Sequence, residues 1–459
     1  MSVKDPLPQH EVVAVFGLGG SGIAATQLLS HFGKKILASD ISDESRRSEL
    51  SAKLPAEVEL CLGHNEIGEA TVIVTSPGLE PTTPILIEAQ NRHIPVIAEL
   101  DLAFRTTDIP MVAITGTDGK TTTTTLTSHL LNSCGIVNHT GGNVGIPLAS
   151  VVMDHPDDAC YVVETSAFQL VFCPEFSPHI LIATNIAEDH SEYFKGDWNK
   201  YVETKRRSLA LMKGSDIAIL NASDPEIRQW TKYTKAQIFW YGMKSDIPEE
   251  AVNYAGFDGV TLEFVFDGEN HKVLFSDFHL KGLHNAMNMM GAILAALAMG
   301  CHFDEIIQAV HTYQLPAHRI QMICEHQGVA FIDDSKATNP HAGIAALETI
   351  QIPTVLIVGG VDKGLSLTQW LEKMRHHVKH LMVIGELGDR FCREADELQL
   401  DIPRHRCNTL QDAVKEGYRL ALESGCQCVL LSPGCSSYDM FKSYTQRGDV
   451  FAQTARTLE

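Results

Sequence analysis

Ala113-Ile-Thr-Gly-Thr-Asp-Gly-Lys-Thr-Thr122 is the stretch on which the reading of this chain turns. The run from Pro110 to Thr115 is apolar and β-branched and predicts a strand, Gly116 to Gly119 a loop, and Lys120 onward a helix. Such a loop can turn its backbone amides toward a polyphosphate. A lysine at its end suits the β- and γ-phosphates, and the Thr121 hydroxyl suits Mg²⁺. The strict pattern G-x-x-x-x-G-K-[ST] is not met, because Ile114 stands where the first glycine belongs. An ordinary turn before a threonine-rich helix is the competing reading.

Upstream lies a second glycine-rich turn. Val12-Val-Ala-Val-Phe16 predicts a strand, Gly17-Leu-Gly-Gly-Ser-Gly22 comes next, and a helix-like stretch runs to Phe32. The next strand, Lys35 to Ser39, ends at Asp40. Gly17, Gly19 and Gly22 satisfy G-x-G-x-x-G, which offers amides at a helix N-terminus to a pyrophosphate. Three readings stay open at this point: NAD, another nucleotide such as a UDP group, or a merely tight turn.

Composition narrows the class. A chain of 459 residues exceeds one ordinary core and suggests two to four domains. A net charge of −21 with no basic block argues against nucleic acid. The longest apolar stretch, Ala286 to Gly300, is too short to span a bilayer, and the N-terminus lacks a signal-peptide core, so a cytoplasmic protein without membrane insertion is expected. Eleven cysteines are scattered without C-x-x-C spacing, which predicts free thiols in a reducing compartment.

Strand-like and helix-like segments alternate along most of the chain, predicting α/β architecture with largely parallel sheets. A connector helix, Glu99 to Arg105, precedes the phosphate-loop segment. Further strands are expected at Tyr161 to Glu164, Ile180 to Asn185, Val329 to Asp333, Thr354 to Val358, His380 to Ile384 and Cys428 to Leu431. Three domains result: 1–98, Rossmann-like; 99–315, a central phosphate-loop domain; and 316–459, again Rossmann-like.

The shortened loop T-G-T-x-G-K-T resembles that of the Mur and folylpolyglutamate ligases, and the likeness extends over nearly the whole chain. Gly142-Asn-Val-Gly145, Glu164-Thr-Ser-Ala-Phe-Gln-Leu170, Asn185-Ile-Ala-Glu-Asp-His190 and Leu283-His-Asn-Ala-Met-Asn288 are similar to successive Mur ligase motifs. So are His318-Arg319, Asp334-Ser-Lys-Ala-Thr-Asn339, Gly359-Gly-Val-Asp-Lys-Gly364, Leu431 to Phe441 and Gln446-Arg-Gly448. Departures are mild. Asp118 stands where the family carries asparagine, and Thr165 and Ala167 stand where Leu and Ser are usual.

The resemblance implies ATP-dependent joining of D-glutamate to UDP-N-acetylmuramoyl-L-alanine through an acyl phosphate, in peptidoglycan precursor synthesis. It implies ATP, two Mg²⁺ ions and a CO₂-derived carbamate on Lys205. Lys120, Glu164, His190, Lys205 and Lys336 would carry the chemistry, with Thr121, Glu164, His190 and Lys205 as metal ligands. ATP would meet Gly116, Thr117, Asp118, Gly119, Lys120, Thr121, Thr122, Asn285, Asn288, Arg319 and Asp334, with His318 nearby. The UDP substrate would meet Gly17, Leu18, Gly19, Gly22, Asp40, Ile41, Ser76, Gly78, Asn143, Ser166 and Gln169. D-Glutamate would meet Thr338, Lys363, Ser437 and Tyr444. A monomer acting on small molecules is expected.

Read without the family, several of these residues have plainer roles. Lys205, in Glu203-Thr-Lys-Arg-Arg207, reads as part of a solvated basic helix face, and Tyr444 as a core aromatic. The competing functions are another Mur-type or folylpolyglutamate-type ligase, a phosphate-loop switch protein, and an NAD oxidoreductase.

Overall fold

Continuous apolar runs such as Val12–Phe16 and Thr354–Gly359 are buried along nearly their whole length, the signature of strands covered on both faces in a parallel sheet. The computed structural model describes residues 3–143, 145–188, 193–362 and 364–458. Among them three sheets form.

The first consists of β1 Val12–Phe16, β2 Lys35–Asp40, β3 Glu59–Leu62, β4 Val72–Thr75 and β5 Val96–Ala98, ordered β3-β2-β1-β4-β5 and parallel throughout. The second is built from β6 Met111–Thr115, β7 Asn138–Gly142, β8 Cys160–Glu164, β9 Ile180–Ala183, β10 Ile217–Asn221, β11 Gln237–Met243, β12 Tyr254–Phe257, β13 Thr261–Phe266 and β14 Glu269–Leu274. Its order is β14-β13-β12-β11-β10-β9-β6-β8-β7, parallel except for the antiparallel β12-β13-β14 meander at one edge. The third holds β15 Gln321–His326, β16 Val329–Asp333, β17 Thr354–Gly359, β18 Val378–Ile384, β19 Arg404–Arg406 and β20 Cys428–Leu431, ordered β15-β16-β20-β17-β18-β19, with only β15 antiparallel.

The chain divides into two compact units. One comprises Met1–Ile186, Asp197–His279 and Ala286–Tyr313 and contains the first two sheets; the other is mainly Gln314–Glu459 and contains the third. Within the first unit the connector helix, Glu99–Thr106, carries buried acids that tie the two sheets' layers together. Glu99 Oε1 accepts the Ala149 amide at 2.6 Å, and Asp101 accepts the Glu175 and Phe176 amides while pairing with Arg105 at 2.7 Å. Burial pushes the Glu99 carboxyl up to about 7, against the pull of its hydrogen bonds from Ala149 and Ser21.

In the second unit the sheet is sandwiched. Leu356, Val358, Leu381 and Val383 pack with Trp370, Leu371 and Phe391 on one face. Val355, Ile357, Val429 and Leu431 pack with Val414, Tyr418 and Phe451 on the other. Helix Leu283–Ala298 begins polar and becomes fully apolar, as its sequence predicts. All eleven cysteines are free thiols. Among the described residues no helix is long and apolar enough to cross a membrane.

Candidate functional site

β6 lies between β8 and β9 in the second sheet, so the loop after it emerges at the carboxyl ends of three parallel strands, where α/β folds bind ligands. Gly116 has φ +138°, and a Cβ there would sit 1.9 Å from Thr184 Oγ1. Gly119 has φ +80°, and a Cβ there would fall 2.4 Å from Asn288 Oδ1. Both positions therefore require glycine, by conformation and by space. The loop is seated from outside: Asp118 N donates to Asn185 Oδ1 (2.9 Å), and Thr184 Oγ1 donates to Asp118 O (2.6 Å). That duty explains why β9 stops at Ala183 instead of running to Asn185 as its sequence suggests. Helix Lys120–Ser133 starts immediately after the loop, so its first amides face the turn, and Thr121 and Thr122 are buried in its first turn. Lys120 Nζ donates to Thr117 O at 2.6 Å, and Asn288 Oδ1 accepts from Thr123 Oγ1 at 3.1 Å.

Glu164 ends β8 and is 1% exposed. Its Oε1 accepts Asn143 Nδ2 at 2.8 Å, whereas Oε2 is buried with no hydrogen-bond partner. A buried carboxylate oxygen left unsatisfied is costly unless a cation completes it, so this residue fits a hard divalent ion. Lys205 is 2% exposed, and its ammonium donates to Gly116 O at 2.5 Å. The solvated-face reading of 203–207 is thereby corrected. In helix Trp198–Leu211 the residues Tyr201, Lys205, Ser208 and Leu209 form one buried stripe, and only neighbours such as Arg207 face solvent. Tyr201 Oη and Thr117 Oγ1 are 2.9 Å apart, which adds a second tie between this helix and the loop.

Ser166 and Gln169 form a capping box for the short helix Ala167–Leu170. Ser166 N donates to Gln169 Oε1 at 3.0 Å, and Gln169 N donates to Ser166 Oγ at 3.4 Å. Each is committed first to the other.

The first sheet has its own ligand-shaped turn at the end of β1. A Cβ on Gly22 would fall 1.9 Å from Gly17 O, so helix Gly20–His31 packs directly on the turn. Gly17 itself has φ +81° and lies against Ser76. Asp40 accepts the Leu18 amide (2.6 Å) and the Ser42 amide (2.8 Å). Burial alone would raise its pKa, but those bonds from Ser42 and Leu18, with Arg46 nearby, hold it below the usual carboxylate range. Ile41 beside it is 77% exposed, an apolar side chain open to a flat partner. Gly78 is exposed on the adjacent loop.

In the second unit the segments after β16, β17 and β20 converge. Val361 N donates to Ser436 O, and Gly359 N donates to Pro433 O, both at 2.9 Å. Asp334 is buried, accepting from Ser432 Oγ (2.9 Å) and Ile320 N (3.3 Å). Burial drives its carboxyl up to about 7, although Arg319 pulls the other way. Arg319 Nε is buried without a hydrogen-bond partner, and His318 Nδ1 lies 2.7 Å from Asp333. Lys336 Nζ stands over the Tyr444 ring at 5.4 Å, so that tyrosine faces the lysine as well as the core. Thr338 is half-buried and Ser437 buried; Asn285 caps locally onto Lys281 O.

His190 and Lys363 lie outside the described residues. The others fall into three groups. The phosphate loop with Asn143, Glu164, Lys205 and Asn288 is one, and the 17–22 turn with Asp40 and Ser76 is another. Arg319, Asp334, Lys336 and Tyr444 make the third, in the second unit. Arg447, within the motif Gln446-Arg-Gly448, was not among the expected site residues. This guanidinium is 1% exposed and donates to Ser335 O, Ser335 Oγ and Cys435 O, joining two of the converging segments. Thr184, Asn185 and Tyr201, which shape the phosphate loop, were likewise not expected there; only Asn185 lies in a motif that carries the family resemblance.

Comparison with known proteins places each group, Tyr444 excepted, in a matching region. Residues 11–98 match the Mur ligase MurD-like N-terminal domain, 114–296 the Mur ligase middle domain, and 318–435 the Mur ligase glutamate ligase domain. Curated relatives named UDP-N-acetylmuramoylalanine–D-glutamate ligase are similar end to end. That of Geotalea uraniireducens is 33% identical over 98% of both chains, and that of Pelotomaculum thermopropionicum 34% identical over 97% of this chain and 98% of its own. Among solved structures, MurF from Acinetobacter baumannii aligns with a TM-score of 0.62 at 16% identity, covering 96% of this chain and 93% of that one. MurC from Thermotoga maritima aligns with a TM-score of 0.59 at 16% identity, covering 98% and 100%; these two speak to the fold alone. A similarity that runs through all three domains, in order and at full length, leaves one family to which this chain belongs, the Mur ligases.

Proposed function

We propose that the chain is an ATP-dependent ligase that joins D-glutamate to UDP-N-acetylmuramoyl-L-alanine, with domains 1–98, 99–315 and 316–459 serving the UDP substrate, ATP and the amino acid. The single observation that carries the chemistry is the phosphate loop bracketed by a buried, half-satisfied Glu164 and a buried Lys205. The substrate carboxylate attacks the γ-phosphorus, ADP leaves, and the amine of D-glutamate attacks the resulting acyl phosphate, expelling phosphate. Gly116 to Thr122 cradle the triphosphate, and Lys120 screens charge between the β- and γ-phosphates. Glu164 Oε2 and the Thr121 hydroxyl would hold Mg²⁺, which when bound neutralises the phosphate charge. The 17–22 turn would receive the pyrophosphate, with Asp40 fixing the turn and Ile41 bordering the base.

A carbamate on Lys205 belongs to the same reading. A carbamate nitrogen keeps one N–H, so the bond to Gly116 O survives while the ammonium charge is replaced by an anion. That exchange would suit the residue to hold a second divalent ion, with His190 as a further ligand. In the second unit Lys336 and Tyr444 with Thr338, Ser437 and Lys363 would receive D-glutamate, and Asp334 and Arg319 the nucleotide. The enzyme would work in the cytoplasm, as a monomer.

The test is phosphate release with UDP-N-acetylmuramoyl-L-alanine, ATP and Mg²⁺, comparing D-glutamate, L-glutamate, L-alanine and meso-diaminopimelate. D-Glutamate alone should drive turnover. Equal turnover with L-alanine or the diamino acid would assign the chain to another branch.

A further inference from the structure

We propose that His139, His155 and Asp158 form a binding site for a borderline divalent cation such as Zn²⁺, separate from the phosphate loop. Their donor atoms, a ring nitrogen from each histidine and a carboxylate oxygen, all lie within 4.8 Å of one another. One comes from a strand and two from the connection that leads into β8, each fixed by backbone. His139 is on the edge strand β7, in register with Tyr161 of β8. His155 closes helix Leu148–Asp154, its amide donating to Val151 O at 2.9 Å and its carbonyl accepting from Tyr161 Oη at 2.7 Å. Asp158 lies in the turn that leads into β8, and its carboxylate reaches His139 Nδ1 at 2.8 Å.

The two imidazoles are stacked, with centroids 3.4 Å apart and planes at 10°. A cation shared by both rings must lie in the plane of each, so binding would tilt one ring out of the stack through its side-chain torsions while the backbone of all three residues stays in place. A helix C-terminus beside His155 adds partial negative charge. Two nitrogens and one oxygen are the donors of Zn²⁺, Co²⁺ or Ni²⁺ sites rather than of Mg²⁺, which takes oxygen ligands. His139 is 44% exposed by side chain and Asp158 6%, so water can complete the shell on one side only.

The site sits at the amino ends of β7 and β8, whereas Gly142 and Glu164 are at their carboxyl ends. Three strand residues at about 3.3 Å each put roughly 10 Å between the level of His139 and Glu164. A cation here would pin the helix end to the edge strand and take no part in phosphoryl transfer.

The experiment uses the full chain with Mg²⁺ in excess, so that hard-ion sites are occupied. Co²⁺ titration followed by visible absorption, with Zn²⁺ as competitor, should show one more equivalent bound by the wild type than by His139→Gln/His155→Gln. Phosphate-release rates of the two should agree within about twofold. Zn²⁺ should also slow acylation of His139 and His155 by diethylpyrocarbonate at least tenfold in the wild type, read by peptide mass spectrometry, which decides the matter even if the double variant folds poorly. Equal stoichiometry in a folded variant, or undiminished acylation with Zn²⁺ present, would overturn the site and leave a His–Asp ion pair with a stacked neighbour.

Discussion

Gly116→Ala tests whether the phosphate loop works through its backbone shape. With φ at +138°, an alanine is forced into a region that L residues avoid, at a cost of about 1–3 kcal/mol. Its Cβ would also collide with Thr184 Oγ1 at 1.9 Å and crowd Asn185 O at 3.0 Å. Thr184 can yield only by loosening its bonds to Asp118 O (2.6 Å) and Thr115 O (3.2 Å), each worth about 1 kcal/mol. The sum is roughly 2–5 kcal/mol. The loop can meet it by moving away from β9, which displaces the amides aimed at the triphosphate. If that displacement is felt at the transition state, kcat/KM for ATP should fall about 30- to 5,000-fold, at 1.36 kcal/mol per factor of ten. Affinity for the UDP precursor, measured by calorimetry without ATP, should change less than about twofold, because the 17–22 turn belongs to a different sheet. Phosphate-release kinetics within threefold of wild type at an unchanged melting temperature would refute the reasoning. Loss of precursor affinity equal to the loss for ATP would refute the separation of the sites.

Lys205→Ala should abolish turnover while leaving the fold intact, and a small carboxylic acid at high concentration should restore part of the activity; full activity without it would remove the carbamate. Glu99→Gln should alter the pH dependence of stability. The folded Glu99 carboxyl titrates near 7 against an unfolded value of 4.5, so its favourable contribution is complete below about 4.5 and is lost as pH rises through 7. The wild type should therefore lose up to about 3 kcal/mol relative to the variant between pH 5 and 8, by denaturant melts at each pH, and parallel curves would contradict the burial argument. Arg447→Met should destabilise the second unit by about 3–5 kcal/mol, since it leaves the acceptors on Ser335 and Cys435 unpaired in a dry site; limited proteolysis should then cut that unit first, and an unchanged digest would deny the arginine its bridging role.

The features legible in the sequence were local ones. β1, β16 and β20 fall on the residues their apolar runs mark, because a strand buried on both faces is written as an unbroken β-branched run. Both glycine-rich turns were legible for the same reason: tight backbone leaves glycine at fixed spacings. The β12-β13-β14 meander was not anticipated, since β12 and β13 are buried but short and interrupted by Gly256 and Glu263, and β14 is mostly exposed and polar. Site contacts that bridge long sequence separations were invisible too. Nothing in the neighbourhood of Asn143 announces a bond to Glu164, and nothing near Arg447 announces Ser335. Ser166 and Gln169 illustrate the reverse case, in which a spacing of three that suggests substrate contacts also writes a capping box.

Lys205 shows how a residue's role is set by its helix and not by its immediate neighbours. Surrounded by Glu203, Arg206 and Arg207, it carries every mark of a solvated face. Its position is decided by Tyr201, one turn earlier, which lies on the same stripe and holds Thr117 while Lys205 holds Gly116. Two consecutive loop residues are thus gripped by two residues at i and i+4 of one helix. The loop that would cradle phosphate and the lysine that would carry the carbamate therefore share two contacts to one helix, so a shift of that helix bears on both. Tyr201→Phe, which removes only the hydroxyl at Thr117, should accordingly weaken both functions in parallel: apparent affinity for ATP and the rate at which bicarbonate restores activity to carbamate-depleted enzyme. A change in one with the other untouched would show that the helix serves the loop and the lysine independently.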